Sequence, residues 1–389
     1  MSLSVCLLTR NSERSIERAV RSVAGLGAEV IVTDTGSTDG TMDAAQALGA
    51  KVHRVPWQDD FGAAQNQALE QATGAWVFWL NPDEELLPRG CEQLAHLLAR
   101  PETLAYVVRV QELTAAAQTD RIAESLLPRL FRRRPDVRFI GRLHPQFAVP
   151  LEELAHRETM QIYQADLCVR RHAYLSVLTP DKVRWATHLL ELELQDRPGQ
   201  LHYLIELGRN LLLLNDPRGH VVLAEATELV ARAAQSPSAP TPTVGLLFEY
   251  LLTVSADQCR STMSFAQINE LARRWFAKSP PVLWALAKRA FQAEAFQQAV
   301  GLLETLVHLG RTGDYDRSAQ FDTAIMAEPA LLNLSKCFVR LADLERAERC
   351  FAQLLDSPSY NGEGRAGLAM VQALRLRAPT DSTAASKDV

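Results

Sequence analysis

The stretch Trp76-Val-Phe-Trp-Leu-Asn-Pro-Asp-Glu-Glu85 constrains this chain most. Its first half is large, apolar and aromatic, the composition of a strand buried on both faces. Pro82 cannot donate to a sheet ladder, so the strand stops before it. Oxygen-bearing side chains follow at the carboxyl end, the edge at which open α/β sheets bind ligands. Such oxygens suit Mg2+ or Mn2+, and an ion of that kind suits a diphosphate. By itself an acidic turn is more often only a solvated strand end.

The preceding residues supply the sheet. Ser2–Thr9 reads as a first strand, and Asn11 or Ser12 can cap a helix through Ala24 with Ile16, Ala19, Val20 and Val23 on one face. Glu29–Asp34 is a second buried strand, broken by Thr35-Gly-Ser-Thr-Asp-Gly-Thr41. A helix over Thr41–Leu48, a strand over Lys51–Val55 and a helix over Phe61–Ala72 lead to the central strand, Ala75–Leu80. Alternation with short links predicts a parallel, doubly wound sheet. A helix over Pro88–Arg100 and a strand over Leu104–Val110 follow, and the small, polar segment Thr114–Glu124 reads as an acceptor loop.

Five motifs stand in order on this frame: Thr9-Arg-Asn11; Thr33-Asp-Thr-Gly-Ser-Thr-Asp-Gly-Thr41; Asp60-Phe61 with Asn66; Trp79-Leu-Asn-Pro-Asp-Glu84; and Phe139-Ile-Gly-Arg-Leu-His144. Together the chain resembles the family 2 glycosyltransferases of the GT-A fold, in particular the bacterial branch with helical repeats behind the catalytic domain. The resemblance implies a Rossmann-like, mostly parallel sheet domain over residues 1–178 that uses a nucleotide-sugar donor and a divalent metal. It places Thr9 at the base or ribose, although Arg10 and Asn11 can equally cap the first helix. Asp34 would accept hydrogen bonds from the nucleoside, while Asp39 could contact it or simply fix its own turn. Asn66 and Asn81 complete the expected donor contacts. Asp83 is expected on the metal, with His144 and His172 as further ligands.

Three positions depart from the family's pattern. Gln65 stands where an Arg is usual, and a Gln hydrogen-bonds without neutralising phosphate. Asn81 stands where an Asp is usual and offers a carbonyl oxygen without charge, which implies a weaker metal site. Pro145 replaces the usual Glu, so the carboxylate base that an inverting transfer needs is not identified. Glu84, Glu124, Glu152, Glu153 and Asp166 are the candidates. Arg132–Arg134 could meet a phosphate or form a solvated face.

From Pro180 the pattern is helical only. Leu204, Leu207, Gly208 and Leu211 open a first tetratricopeptide-like pair; Leu283, Leu286, Ala287, Ala290, Ala299, Leu303 and Leu306 mark a second; Leu331, Leu334, Ser335, Phe338, Ala347, Phe351 and Leu354 mark a third. An all-α, repeat-bearing domain is expected over 179–375, offering a concave face for a protein, peptide or glycan acceptor, and a disordered tail over 376–389. Net charge −5 argues against a nucleic-acid partner. The six scattered cysteines read as reduced thiols of a cytoplasmic protein. No signal peptide fits the start, and no apolar run reaches the length of a membrane span. A glycosyltransferase is the leading reading. The alternative is a degenerate glycosyltransferase-like domain serving as a binding scaffold, with Gln65, Asn81 and Pro145 as marks of decay. A nucleotidyltransferase would want a Gly-rich, basic loop after the first strand, which the chain lacks.

Overall fold

The structure, a computed structural model, describes residues 2–88, 91–114, 121–172, 179–254, 263–317 and 321–377. Packing divides the chain into two compact units: residues 1–229 with 317–321, and residues 230–316 with 322–389.

The first unit is built on one eight-stranded sheet. Its strands are β1 (Leu3–Thr9), β2 (Glu29–Asp34), β3 (Lys51–Arg54), β4 (Trp76–Trp79), β5 (Glu84–Leu86), β6 (Thr103–Thr114), β7 (Arg121–Arg132) and β10 (Gln161–Arg171), in the spatial order β3-β2-β1-β4-β7-β6-β10-β5. The first four run parallel; β7 and β5 run against their neighbours. A separate pair, β8 (Phe139–Ile140) and β9 (Gln146–Phe147), lies beside it. This is the α/β, mostly parallel architecture expected from the alternation, and it agrees with the GT-A fold that the resemblance implies.

β4 is buried on both faces, as its composition requires. Trp76 and Phe78 pack with α1 (Glu13–Val23), α2 (Thr41–Ala47) and α4 (Cys91–Leu98) through Ile16, Val20, Ala45, Leu94 and Leu97. Val77 and Trp79 pack the other way, against Ala68 and Leu69 of α3 (Phe61–Gln71) and Leu151 and Leu154 of α5 (Leu151–Arg157). Side chains alternate along a strand, so a strand without a polar residue needs helices on both sides.

Two readings change. Residues 121–124 are strand, not loop: β6 and β7 form a long antiparallel ladder from Ala105 opposite Phe131 to Thr114 opposite Arg121, and only 115–120 lie outside the described residues. Pro128 hid β7 in the sequence. It sits where the ladder slips register, beside Val107, so its missing N–H is tolerated. The β10 strand was not read either; its polar, exposed residues alternate with Ala165, Leu167 and Val169, which are buried.

Glu29, at the start of β2, ties three strands and a loop. Its carboxylate accepts from Ser4 Oγ, Thr73 N and Oγ1, and Lys51 Nζ. Burial alone would raise its pKa, but these donors outweigh burial and hold it at about 2. A depressed carboxylate stabilises the fold fully above its ordinary pKa and loses that contribution as pH falls toward the folded value. Thermal midpoints measured from pH 5 down to pH 2 should therefore fall more steeply for the wild type than for Glu29→Gln.

After the sheet come α6 (Pro180–Asp196), α7 (Leu201–Leu213) and α8 (Arg218–Arg232). Pattern changes to all-helix at residue 180, yet α6 and α7 pack within the first unit. Leu189, Leu190, Tyr203, Leu207 and Leu211 form a core with Leu143, Trp57 and Phe61 of the sheet domain. A Cβ on Gly208 would come within 2.5 Å of Leu223, so glycine lets α7 and α8 touch.

The second unit is helical: α9 (Val244–Thr253), α10 (Phe265–Trp275), α11 (Pro280–Gln292), α12 (Phe296–Thr312), α13 (Glu328–Arg340), α14 (Leu344–Gln353) and α15 (Asn361–Arg377). α11 packs on α12 and α13 on α14, each pair joined by a short turn, as expected of tetratricopeptide-like pairs. The small residues Ala299 and Ala347 are fully buried. Residues 378–389, most of the expected tail, lie outside the described residues.

Candidate active site

β4 carries the Asn81–Glu84 turn to the carboxyl edge of the sheet. The Glu84 amide donates to the Asn81 carbonyl at 3.0 Å, closing a four-residue turn with Pro82 second, where its fixed φ fits. Glu84 then points inward, its side chain 0% exposed. Arg129 Nη2 and Arg171 Nη2 donate to its Oε1 at 2.8 and 2.7 Å, and the side-chain and backbone amides of Asn81 donate to Oε1 and Oε2 at 2.9 Å each. Burial pushes this carboxyl up, but the charges of Arg129 and Arg171 outweigh it and hold the group below the usual glutamate range. Both oxygens are engaged, so Glu84 is an anchor and the reading of it as a base is corrected. The same geometry accounts for Asn81. An aspartate there would have no N–H to give Glu84 and would set a second carboxylate against it.

Asp83 is the contrast. Its side chain is 44% exposed, and Arg171 Nε lies 3.8 Å from Oδ2. Desolvation, followed by the Glu84 charge, raises its pKa despite Arg171. A cation brought to the edge would reverse that balance. His172 donates its backbone N–H to the Asp83 carbonyl at 2.9 Å, while its ring Nε2 lies 2.8 Å from Glu85. It therefore braces the Asp83 turn, with its ring directed at Glu85.

Asp34 is wholly buried. Oδ1 accepts from the amides of Gly36 and Ser37 at 2.9 and 2.8 Å, and Oδ2 accepts from Ser37 Oγ. Asp34, expected at the nucleoside, here fixes the Gly36–Ser37 turn that follows β2. Asp39 behaves likewise, accepting from Thr41 N at 3.1 Å and from Glu13 N at 3.3 Å, and so joins the starts of α1 and α2. Asn11 Oδ1 accepts from Thr38 N at 2.9 Å. Thr9 is buried at the end of β1, with Oγ1 lacking a hydrogen-bond partner, and Arg10 is exposed.

Asn66 makes a closed pair with Phe139: Nδ2 donates to its carbonyl and Oδ1 accepts from its amide, both at 2.8 Å. Asp60 caps α3 through Ala63 N, and the free N–H groups of Phe61 and Gly62 donate to the carbonyls of Arg142 and Gly141 at 3.1 and 3.0 Å. The third and fifth motifs are thus one device: the start of α3 seats the Phe139–His144 loop, and Asn66, expected at the donor, is its clasp. Gly141, at φ 114°, is required twice, because a Cβ would also come within 2.0 Å of the Tyr203 hydroxyl. From the other side α6 grips Arg142. Glu193 accepts from its amide at 2.8 Å, and Asp196 accepts from its Nε and Nη2 at 3.0 and 2.6 Å.

This clamp holds His144 with φ 46°, a left-handed conformation that costs a non-glycine residue roughly 1–3 kcal/mol. Its side chain is 62% exposed, and Nδ1 is hydrogen-bonded to Oε2 of Glu206 on α7. Desolvation pulls the imidazole pKa down, but the hydrogen bond and charge of Glu206 pull harder and leave it raised. The positive charge of Arg171 opposes that rise.

The remaining base candidates do not converge here. Glu124 accepts from Gln111 at 2.8 Å and shares a cross-strand row with Gln111 and Arg170. Glu84, Arg171 and Glu112 make the next row, so Glu124 points to the opposite face of the sheet. Asp166 is exposed beside Gln93 of α4. Glu152 and Glu153 lie on α5, in its first turn. Arg132 and Arg133 donate to backbone carbonyls, among them Thr103 and Gly74, and Arg134 pairs with Asp136.

Next to Asp83, Glu84 and Glu112 stand against Arg129 and Arg171. Three carboxylates meet two guanidiniums, so these groups leave no spare positive charge for a diphosphate. Asp83 gives one carboxylate, and Mg2+ or Mn2+ commonly takes its other ligands from phosphate and water. The residues fit an ion carried in by its diphosphate. Among the described residues no three His, Cys, Asp or Glu side chains form a cage for one.

The sheet and its acidic turn lie in the part of the chain that is similar to known glycosyltransferases. Residues 4–147 match the Glycosyl transferase family 2 model, a span that holds the Asp34, Asp83 and His144 loops. A TPR repeat-containing protein of Synechococcus elongatus is 42% identical over 137 residues, 35% of this chain and 33% of that protein. An uncharacterized glycosyltransferase of Rickettsia typhi is 32% identical over 123 residues, 31% of this chain and 42% of that protein. The alignments thus span about a third to two-fifths of these curated relatives. Among solved structures, S. aureus TarS 1-349 superposes over 82% of this chain and 89% of its own, at 16% identity and a TM-score of 0.36, too loose to compare sites.

Proposed function

We propose that the protein transfers a sugar from a nucleoside diphosphate donor to an acceptor on a protein, peptide or glycan, with inversion at the anomeric carbon. The family 2 domain supports the reaction class. The observation that carries the site is the contrast at the end of β4, where Glu84 is locked between two arginines and Asp83, beside it, stays half exposed. Asp83 would hold the divalent ion, which neutralises the departing diphosphate when bound. Arg171 keeps Asp83 oriented toward the edge. The loop fixed by Asp34 borders the nucleoside, with Thr9 beneath it. The loop seated by Asn66 forms the facing wall and brings His144 to the same edge.

Helical repeats on the second unit suit an extended acceptor. No helix among the described residues is long and apolar enough to cross a membrane. We place the reaction in the cytoplasm, in keeping with thiols that stay unpaired at Cys6, Cys168, Cys337 and Cys350. Calorimetry with UDP-, GDP- and dTDP-sugars, each with and without Mn2+, tests the reading. Heat with one nucleotide series that depends on Mn2+ is expected. No heat with any of them would leave a sugar-blind scaffold.

A further inference from the structure

Four helices of the second unit surround a cavity of about 260 Å3, well outside the segment that matches the family 2 model. α10 lends it one face, with Phe265, Asn269 and Arg273 at helical spacing. α11 adds Arg289 and α12 adds Gln298. Leu252 of α9, with Leu286, Ala290 and Leu302, makes an apolar wall. Among the described residues that line the cavity, none is acidic.

Its two guanidiniums have no counter-ion. Among the described residues, no carboxylate lies within ion-pairing distance of Arg273 or Arg289. The acids nearest to them in sequence are engaged elsewhere: Glu270 lies 3.9 Å from Arg274, and Glu294 lies 3.4 Å from Arg340. Arg289 is half-buried, and its guanidinium carbon sits 4.2 Å from the centroid of the Phe265 ring. That cation–π contact orders the fork without using its N–H groups. Arg273 gives Nε to the Asn269 carbonyl oxygen at 3.3 Å, which leaves its Nη groups and the Asn269 amide as donors. Guanidinium does not lose its proton in a protein, so both charges persist at any ordinary pH.

Two fixed positive charges match a phosphate dianion better than a single carboxylate. Phosphate also offers three strong acceptor oxygens to the forks, and arginine pairs with it bidentately. The apolar wall suits an organic body attached to that phosphate. A cavity of this size lies below the range of about 300–1,000 Å3 that drug-sized ligands occupy, so the body is small. We propose that the cavity binds a small phosphate monoester, with the phosphate at Arg273 and Arg289 and the body against the Leu252–Leu302 wall. The site is separate from the one at the end of β4 and does not depend on the sugar-transfer reading.

The test is calorimetry on the full chain, with a chelator and without nucleotide, using phenyl phosphate, inorganic phosphate and benzoate at matched ionic strength. Phenyl phosphate should bind most tightly. Arg273→Gln and Arg289→Gln should each weaken it about 10- to 100-fold, the scale of losing a hydrogen bond to a charged group. Arg273→Lys and Arg289→Lys keep the charge but lose the fork. They should fall between wild type and the glutamine variants, and they carry the test if a glutamine variant melts early. No heat from phenyl phosphate, or equal binding of benzoate, overturns the proposal. Inorganic phosphate binding as tightly as the ester would make free phosphate the ligand and overturn the monoester. Wild-type affinity in both glutamine variants would put the phosphate elsewhere on the chain and overturn the site.

Discussion

Replacing Asp83 by alanine is expected to lower kcat/KM for sugar transfer by about 100- to 1,000-fold, the scale of losing a fixed electrostatic partner of the leaving group. Stability should not follow activity. Desolvation and the neighbouring Glu84 raise the Asp83 pKa, so the ionised side chain is unfavourable in the folded protein at neutral pH. A carboxyl whose folded pKa is raised favours the fold below that pKa and opposes it above. The thermal midpoint of Asp83→Ala at pH 7 should equal or exceed that of the wild type. Function held against local stability is a common property of active sites. Steady-state kinetics and a melting curve on the same preparation check both halves.

The adjacent residue should behave in the opposite way. Glu84→Ala leaves Arg129, whose side chain is 9% exposed, and Arg171 facing each other without their shared carboxylate. Breaking a buried ion pair from one side costs about 3–5 kcal/mol, and urea denaturation should report a loss of that size. The pH dependence has a definite sign. The Glu84 pKa is lowered in the fold, so its contribution is complete above the ordinary glutamate pKa and disappears as pH falls. Below that range the gap between wild type and variant should narrow. A catalytic base would give another pattern: Glu84→Gln would fold normally and lose only turnover.

These two predictions show what the sequence could and could not reveal. The strands up to β4 were legible because they depend on local composition: Trp76 to Leu80 has no polar residue, and Asn81 with Pro82 stops it. The motif positions were legible for the same reason. What each motif residue touches was not. Asp34 and Asn66 stand where ligand contacts are expected, yet both spend their hydrogen bonds on the loops beside them. A residue that shapes a loop and one that meets the ligand through it leave the same mark in a sequence.

The pairing of Glu206 with His144 is not legible in the sequence, because the two stand 62 residues apart and on either side of the change to helices. A signal was present. α7 is otherwise rich in Leu and Ile, but His202, Glu206 and Arg209 recur at helical spacing along one stripe. Polar residues spaced that way on a buried helix point toward a polar neighbour. β7 escaped for a simpler reason, since Pro128 reads as a break until the slipped register beside it is seen.

The central claim is that Asp83 holds the ion that brings the diphosphate to the edge of the sheet. Crystals grown with UDP and Mn2+, measured at the manganese absorption edge, test it directly. The account predicts one anomalous peak at coordination distance from an Asp83 carboxylate oxygen and from the diphosphate. UDP bound at that edge with no peak beside Asp83, or a peak elsewhere on the chain, would contradict it.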